Sequence, residues 1–439
     1  MNRFLQSRWL DGLWCLCLLA LSIAGISNVP LHGDESTQIY MGRDFYYHAQ
    51  GVNEQIVFRD WETLSPEEAT EQQLRLLNGT LPKYLFGAVA YASGYTFEQI
   101  NQQWVWGAGW AWNHANGHVP ADDLLWRTRL MSAVLLGVSA VGVFLLGRTI
   151  GGRGVAYHAS AYYTLNPAVL LNGRRAMMEG AMLAFTVLAV LMAVIALRRG
   201  AWRDYLLLGI VSGLAVASKH TAVVTIATLF VTGAIWIVYQ RRAITQQITR
   251  LIVAGVLSLL VFFGLNPAWW ANPPGAVRTV LELRQDLLTG QVGFFGGYET
   301  LNDQVTGFLY QSFIVLPMYA ETDTDGFYSE QATRITRYDR SLVSGVSLGG
   351  SAIGAGVLIA LVMIGCVYVW RSSRFDSVSR WVLSAWLLAM IILTLLLTPL
   401  EWQRYYLPIY PVIAIFGALG LMGLLTALIV HLNNRMQNG

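Results

Sequence analysis

Acids are scarce in this 439-residue chain, so the adjacent pair Asp34 and Glu35 in LHGDESTQIYMGRDF (31–45) stands out. A carboxylate within reach of a hydroxyl can take its proton, and a carboxylate can also hold a divalent metal ion. Cations form a second conspicuous class. Lys83 and Lys219 are the only lysines, and Arg404 sits in EWQRYYLPIY (401–410). Such groups can stabilise negative charge as it develops on a departing anion. Arg43, Arg174, Glu179, His220 and Tyr405 stand in similar polar interruptions of a chain that is otherwise apolar.

The elements that must position these groups are membrane helices. The chain is 55% hydrophobic and 13% charged, with a mean hydropathy of +0.46. Apolar runs of roughly 18 or more residues recur along it, each long enough to cross the ~30 Å hydrocarbon core as a helix. An all-α polytopic membrane protein follows, folded as one membrane-embedded domain over 1–439. About ten spans are expected, at 9–28, 124–147, 155–172, 177–197, 204–218, 221–240, 249–267, 346–370, 380–399 and 408–430. The first, after Arg3 and Arg8, lacks a small-residue cleavage site and reads as a retained span. Cys15, Cys17 and Cys366 lie within apolar runs, which offers no disulfide framework. The net charge of +3 is carried mainly by Arg in the connections, and no nucleic acid is expected as a partner.

Arg placement gives the orientation. Arg148 and Arg153, Arg198, Arg199 and Arg203, Arg241, Arg242 and Arg250, and Arg371, Arg374 and Arg380 fall on alternate connections. The positive-inside rule makes that side cytoplasmic, with both termini. Two outward loops are long, 29–123 and 268–345. In the first, 81–95 and 104–112 are short, aromatic and apolar, as suits helices lying in the interface plane. In the second, TGFLYQSFIVLPMY (306–319) is interfacial, re-entrant or a further span.

The outward charges form the candidate site. An ionisable group inside the bilayer costs ~2.5–3.5 kcal/mol at mid-span, so several on one face suggest a shared polar site. Two plainer roles stand beside that reading. Lys or Arg at a span end can snorkel toward headgroup phosphates, and Asp34 can cap the helix that follows it.

In chain order these residues resemble the membrane-embedded GT-C glycosyltransferases, specifically the protein O-mannosyltransferase and lipid A aminoarabinose transferase family. GDESTQIYMGRDF supplies Asp34, Glu35, Arg43 and Asp44 at that family's spacing, with Gln38 where a Tyr is usual. NGTLPKYLFG (78–87) resembles its Lys-Pro motif with Pro82 and Lys83 transposed. The stretch 129–183 is similar to the family's most typical region, with Glu179 where Asp is common. GIVSGLAVASKHTAVV (209–224) aligns Lys219, and EWQRYYLPIYPVIAIFGALG (401–420) aligns Arg404 and Tyr405.

The resemblance implies transfer of a sugar from a polyprenyl-phosphate carrier to a protein, lipid or glycan acceptor. The active site would face the extracytoplasmic side of the cell (inner) membrane. Asp34 would be the general base and Glu35 would orient it or bind a metal. Lys83, Lys219 and Arg404 would hold the donor phosphate. Arg43, Arg174, Glu179, His220 and Tyr405 would line the substrate. A divalent metal, with Glu35 and His220 as candidate ligands, is the one cofactor considered.

Other signals point elsewhere. Asp323 and Asp325 in TDTDG form an Asp-x-Asp pattern that reads as a solvated turn, and His114 with His118 has zinc-like spacing in a loop-like context. The Trp-rich 104–112 stretch suits an interfacial anchor. The rival functions are a transporter or flippase of lipid-linked saccharides, and a non-catalytic accessory subunit of a glycosylation system.

Overall fold

The computed structural model describes residues 8–323 and 326–438. Arg3, and Asp325 of the Asp-x-Asp pattern, lie outside the described residues. Among the described residues every regular element is helical. Eight helices are long and apolar enough to cross a membrane: Arg8–Asn28, Asp122–Leu165, Glu179–Arg199, His220–Gln240, Ile244–Leu265, Ala352–Arg371, Ser377–Leu396 and Gln403–Gln437. The chain is an integral membrane protein.

The Asp122–Leu165 helix is a hairpin rather than a rod. Gly152 has φ 82° and ψ −168°, a backbone region essentially reserved for glycine. Ser139 Oγ and Tyr163 OH are 2.8 Å apart. Twenty-four residues of straight helix would separate them by roughly 36 Å. The two arms take up the expected spans at 124–147 and 155–172, the second continued by Pro167–Arg174 after the Asn166 cap. The segment expected at 204–218 is the 17-residue helix Trp202–Ser218.

Close packing comes from small residues on facing helices, as lipid gives apolar side chains no reason to prefer each other. A Cβ on Gly365 would fall 2.1 Å from the Phe416 carbonyl oxygen, so Ala352–Arg371 and Tyr410–Asn438 touch backbone to backbone there. The Glu179–Arg199 helix is innermost, with 78% of its apolar window buried against 22% for Arg8–Asn28.

Charged clusters mark the two ends of the bundle. At one end Asp11 accepts from Tyr157 OH (2.8 Å) and pairs with Arg148 and Arg153, while Arg198 pairs with Asp376 at 2.5 Å. At the other end Arg129 meets Glu35. Arg129 and Arg148 lie on one helical arm, 19 residues or roughly 28 Å apart, close to the thickness of the hydrocarbon core.

The two long connections are built of helices. Gly33–Met41, Arg43–Ala49, Pro66–Leu77, Thr80–Ala92 and Trp110–Ala115 occupy the first; Pro273–Phe295, Leu301–Leu309 and Phe327–Asp339 occupy the second. One expectation needs correction. Residues 104–109 are irregular, because the buried Asn113 side chain binds the Val105 amide and the carbonyls of Val105, Ala108 and Gly109. Of the three readings left open for 306–319, a span is the one that no helix of sufficient length supports among the described residues. The helix there, with the π-turn at Tyr310–Ile314, covers 301–314, about 21 Å of rise.

Candidate functional site

His32, not Asp34, caps the Gly33–Met41 helix. Its Nδ1 accepts from the Asp34 amide at 3.1 Å, and Glu35 reaches back to the His32 amide at 3.0 Å, a reciprocal capping box. Nδ1 is thereby the acceptor, so Nε2 carries the proton and donates to Glu321 at 2.7 Å. Gly33 is needed for a close approach, since a Cβ there would fall 2.8 Å from the Trp104 ring.

Glu35 is fully buried and its two oxygens take four hydrogen bonds. Arg129 donates to both at 2.7 Å, the Ala176 amide donates at 2.9 Å and the His32 amide completes the set. Burial pushes this carboxyl up, but Arg129 and Arg175 outweigh it and hold it below the usual range. Arg129 also binds the carbonyls of Ile26 and Val29, at 3.1 and 2.8 Å. The Glu35–Arg129 pair thus locks the end of the first span, the first loop and the turn leading to Glu179. Both Glu35 oxygens are engaged by protein donors.

Asp34, its neighbour, keeps its side chain 25% exposed and pairs with Arg404, 370 residues away. The Arg404 Nε lies 2.8 Å from Glu321 Oε1, which joins Asp34, Arg404, Glu321 and His32 into one cluster. Burial raises the Asp34 carboxyl, but Arg404 and then His32 overcome it and keep it below the ordinary carboxylate value. Glu321 behaves in the same way, held down by the same two partners. Gln403 fixes the register of these pieces: its side chain donates to the Leu316 carbonyl at 2.6 Å and accepts from the Met318 amide at 3.2 Å.

Lys219 and Arg404 converge on Tyr405, at 6.0 and 5.9 Å from its ring centroid. Lys219 interrupts two apolar helices and donates to Glu179 at 2.7 Å; the other Glu179 oxygen is buried without a partner. Asp34, Lys219, Arg404, Glu179 and Tyr405, spread over most of the sequence, are therefore brought to one end of the bundle.

Other expected site residues face protein partners of their own. Lys83 is 1% exposed and points at Asp44 (2.7 Å), which also receives Arg75 at 2.9 Å. Burial pushes Lys83 below its ordinary value, whereas Asp44 is held down by Lys83 and Arg75 against the effect of burial. Arg43 binds the Ile100 carbonyl and lies over the Tyr40 and Phe97 rings. Arg174 is wholly buried and donates to the carbonyls of Leu21, Ser22 and Val343 and to the Tyr338 hydroxyl. His220 packs among Phe262 and Trp269, its Nε2 buried and unbonded. His118 stacks on Trp112 and bonds the Gln103 carbonyl instead of pairing with His114. Among the described residues no three His, Cys, Asp or Glu gather as metal ligands would.

Sequence reasoning missed His32, Glu321 and Arg129. An H-x-x-E capping pattern at 32–35 and an Arg at the outer end of a predicted span were signals for two of them. Glu321 was overshadowed by the adjacent Asp-x-Asp.

The family model described as dolichyl-phosphate-mannose-protein mannosyltransferase matches residues 111–266. No curated protein sequence matches the chain. Among solved structures, the Archaeoglobus fulgidus oligosaccharyltransferase is similar in its apo form over 98% of this chain and 52% of its own (14% identity, TM-score 0.53). The same archaeal enzyme, AglB, in complex with an inhibitory peptide and a dolichol-phosphate, has 14% identity, the same coverages and a TM-score of 0.52. ArnT from Cupriavidus metallidurans bound to undecaprenyl phosphate has 12% identity and a TM-score of 0.48, over 94% of this chain and 60% of that one. The chain thus spans little more than half the length of these proteins. Its fold is of the GT-C glycosyltransferase type, as expected from the sequence.

Proposed function

We propose that this protein transfers a sugar from a polyprenyl-phosphate carrier to an acceptor hydroxyl on the extracytoplasmic side of the membrane. The single observation that carries this reading is the convergence of Asp34, Arg404 and Lys219 around Tyr405 at one end of the bundle. Two comparisons support it. One is the mannosyltransferase family model over 111–266; the other is the shared fold of AglB, whose structure holds a dolichol-phosphate.

In this reading the acceptor oxygen attacks the anomeric carbon while its proton passes to Asp34. The bond from that carbon to the carrier phosphate breaks, and the phosphate leaves with the bonding electron pair. Arg404 and Lys219 stabilise the growing charge on the phosphate, and one in-line displacement inverts the anomeric centre. Both cations are neutralised by carboxylates in the free protein, so a phosphate entering near Tyr405 exchanges one anionic partner for another at small net electrostatic cost. Glu179, with one oxygen unbonded, accepts a hydroxyl of the bound sugar.

The test is to incubate the purified protein with synthetic polyprenyl-phosphate sugars and a panel of peptide, lipid and saccharide acceptors, and to read products by mass spectrometry. Absence of any sugar transfer across the panel overturns the reading. Lys219→Ala and Arg404→Ala are each expected to lower donor turnover by about 10²–10³-fold. Unchanged turnover and donor affinity in both would reduce these residues to membrane-end cations.

The pH profile of transfer adds a signed prediction. A general base works ionised, so the rate falls as pH drops through its pKa. Asp34 is held below its ordinary value, so the wild-type rate should stay flat on the acid side to about pH 5. Arg404→Gln removes the largest influence opposing burial. The residual activity of this variant should then fall off at higher pH than wild type; an acid limb that does not move would separate Arg404 from Asp34 ionisation.

A further inference from the structure

Trp106 is an exposed aromatic residue beside His32, a member of the Asp34 cluster. Its ring is 46% exposed and lies 5.8 Å from the His32 ring, centroid to centroid. On its other flank stands Trp104, at 6.2 Å. Trp104 is itself buried, wedged against Gly33 and packed on Trp110 at 5.3 Å. Trp106 is therefore held in place by buried neighbours, one of which caps the helix that carries Asp34.

The pairing of an exposed indole with half-buried ionic groups suits one ligand chemistry. A pyranose ring has an apolar C–H face, which stacks on an electron-rich aromatic plane, and a rim of hydroxyls, which bind carboxylates and guanidinium. Asp34, Glu321 and Arg404 keep 25, 11 and 15% of their side chains exposed, enough to offer such partners. A membrane anchor explains this ring less well. An anchoring Trp faces outward from its element, whereas Trp106 faces the side chain of His32. Trp112, on the same aromatic stretch, stacks on His118 instead and is 47% exposed.

We propose that Trp106 stacks the sugar ring of the acceptor, which makes the acceptor a saccharide. The proposal rests on the transfer reading above and deepens it. Lys219 and Tyr405 join the cluster through Arg404, and Trp106 joins it through His32. Donor phosphate and acceptor ring thus approach Asp34 by different partners.

The test reads binding, so it stands apart from turnover. Full-length protein in detergent is mixed with mannotriose, chitotriose or a Ser/Thr-rich peptide, and saturation-transfer NMR reports which ligand protons touch the protein. Ring C–H protons of at least one oligosaccharide should light up with wild type and with Trp112→Ala. Trp106→Ala should weaken that binding about tenfold, and Trp106→Phe should restore most of it, since the aromatic face remains. The proposal falls if neither oligosaccharide binds, if the peptide alone binds, or if Trp106→Ala binds as wild type does. It also falls if Trp106→Ala and Trp112→Ala lose binding equally. A loss of affinity confined to a short-chain prenyl-phosphate sugar would give the ring to the donor and overturn it as well. Saccharide binding without any sugar transfer would leave Trp106 in place and sink the transferase reading instead.

Discussion

Asp34→Asn lowers the rate of sugar transfer by about 10²–10⁴-fold, with the protein still folded and still binding donor. This is the expected result if the carboxylate accepts the proton of the attacking hydroxyl. The substitution is isosteric, and its remaining oxygen still faces Arg404. The helix start is untouched, because His32 and Glu35, not Asp34, close the capping box. That separates chemistry from architecture. Loss of a cap costs about 1 kcal/mol and would appear as reduced stability. Single-turnover measurements on the purified variant, with donor binding read independently, decide the matter. Turnover near that of wild type removes Asp34 from the chemistry.

Arg129→Ala is expected to be the most damaging change to stability. It leaves the wholly buried Glu35 without either of its guanidinium contacts, and it strips partners from the Ile26 and Val29 carbonyls. Breaking a buried pair from one side costs about 3–5 kcal/mol, because the surviving charge loses its principal counterpart. The double variant Arg129→Leu with Glu35→Leu removes both charges and should recover part of that loss. Thermal unfolding in detergent measures both. If the single variant unfolds within a degree or two of wild type, the pair does not hold the first span's end, the first loop and the turn together.

Much of the helical scaffold was readable from hydrophobic run length, since crossing a bilayer is the most stringent demand on local composition. The hairpin at Gly152 is visible as GGRG between two apolar runs. The irregular 104–109 stretch was not, because its conformation comes from one buried Asn113 side chain rather than from periodicity.

At the site, residue type was a good guide to which positions are polar and a poor guide to what they face. Arg174 and Arg175 are adjacent in sequence, yet Arg174 is consumed by backbone carbonyls while Arg175 feels Glu35 and Glu321. Lys83, expected beside the donor phosphate, pairs with Asp44. Pairings of this kind depend on how the loops fold over each other. No spacing along the chain encodes them.

The bond between Asp34 and Arg404 also has a consequence in time. A ribosome making about 5–20 residues per second needs roughly 20–70 s to get from one to the other. Throughout that interval the N-terminal acid waits without the countercharge that the final helix will bring. A nascent chain halted before Trp402 would own nearly every loop and span, yet its acid would lack the guanidinium that holds it. Stop codons anywhere before Arg404 should therefore abolish sugar transfer as completely as early ones, read as product formation by mass spectrometry.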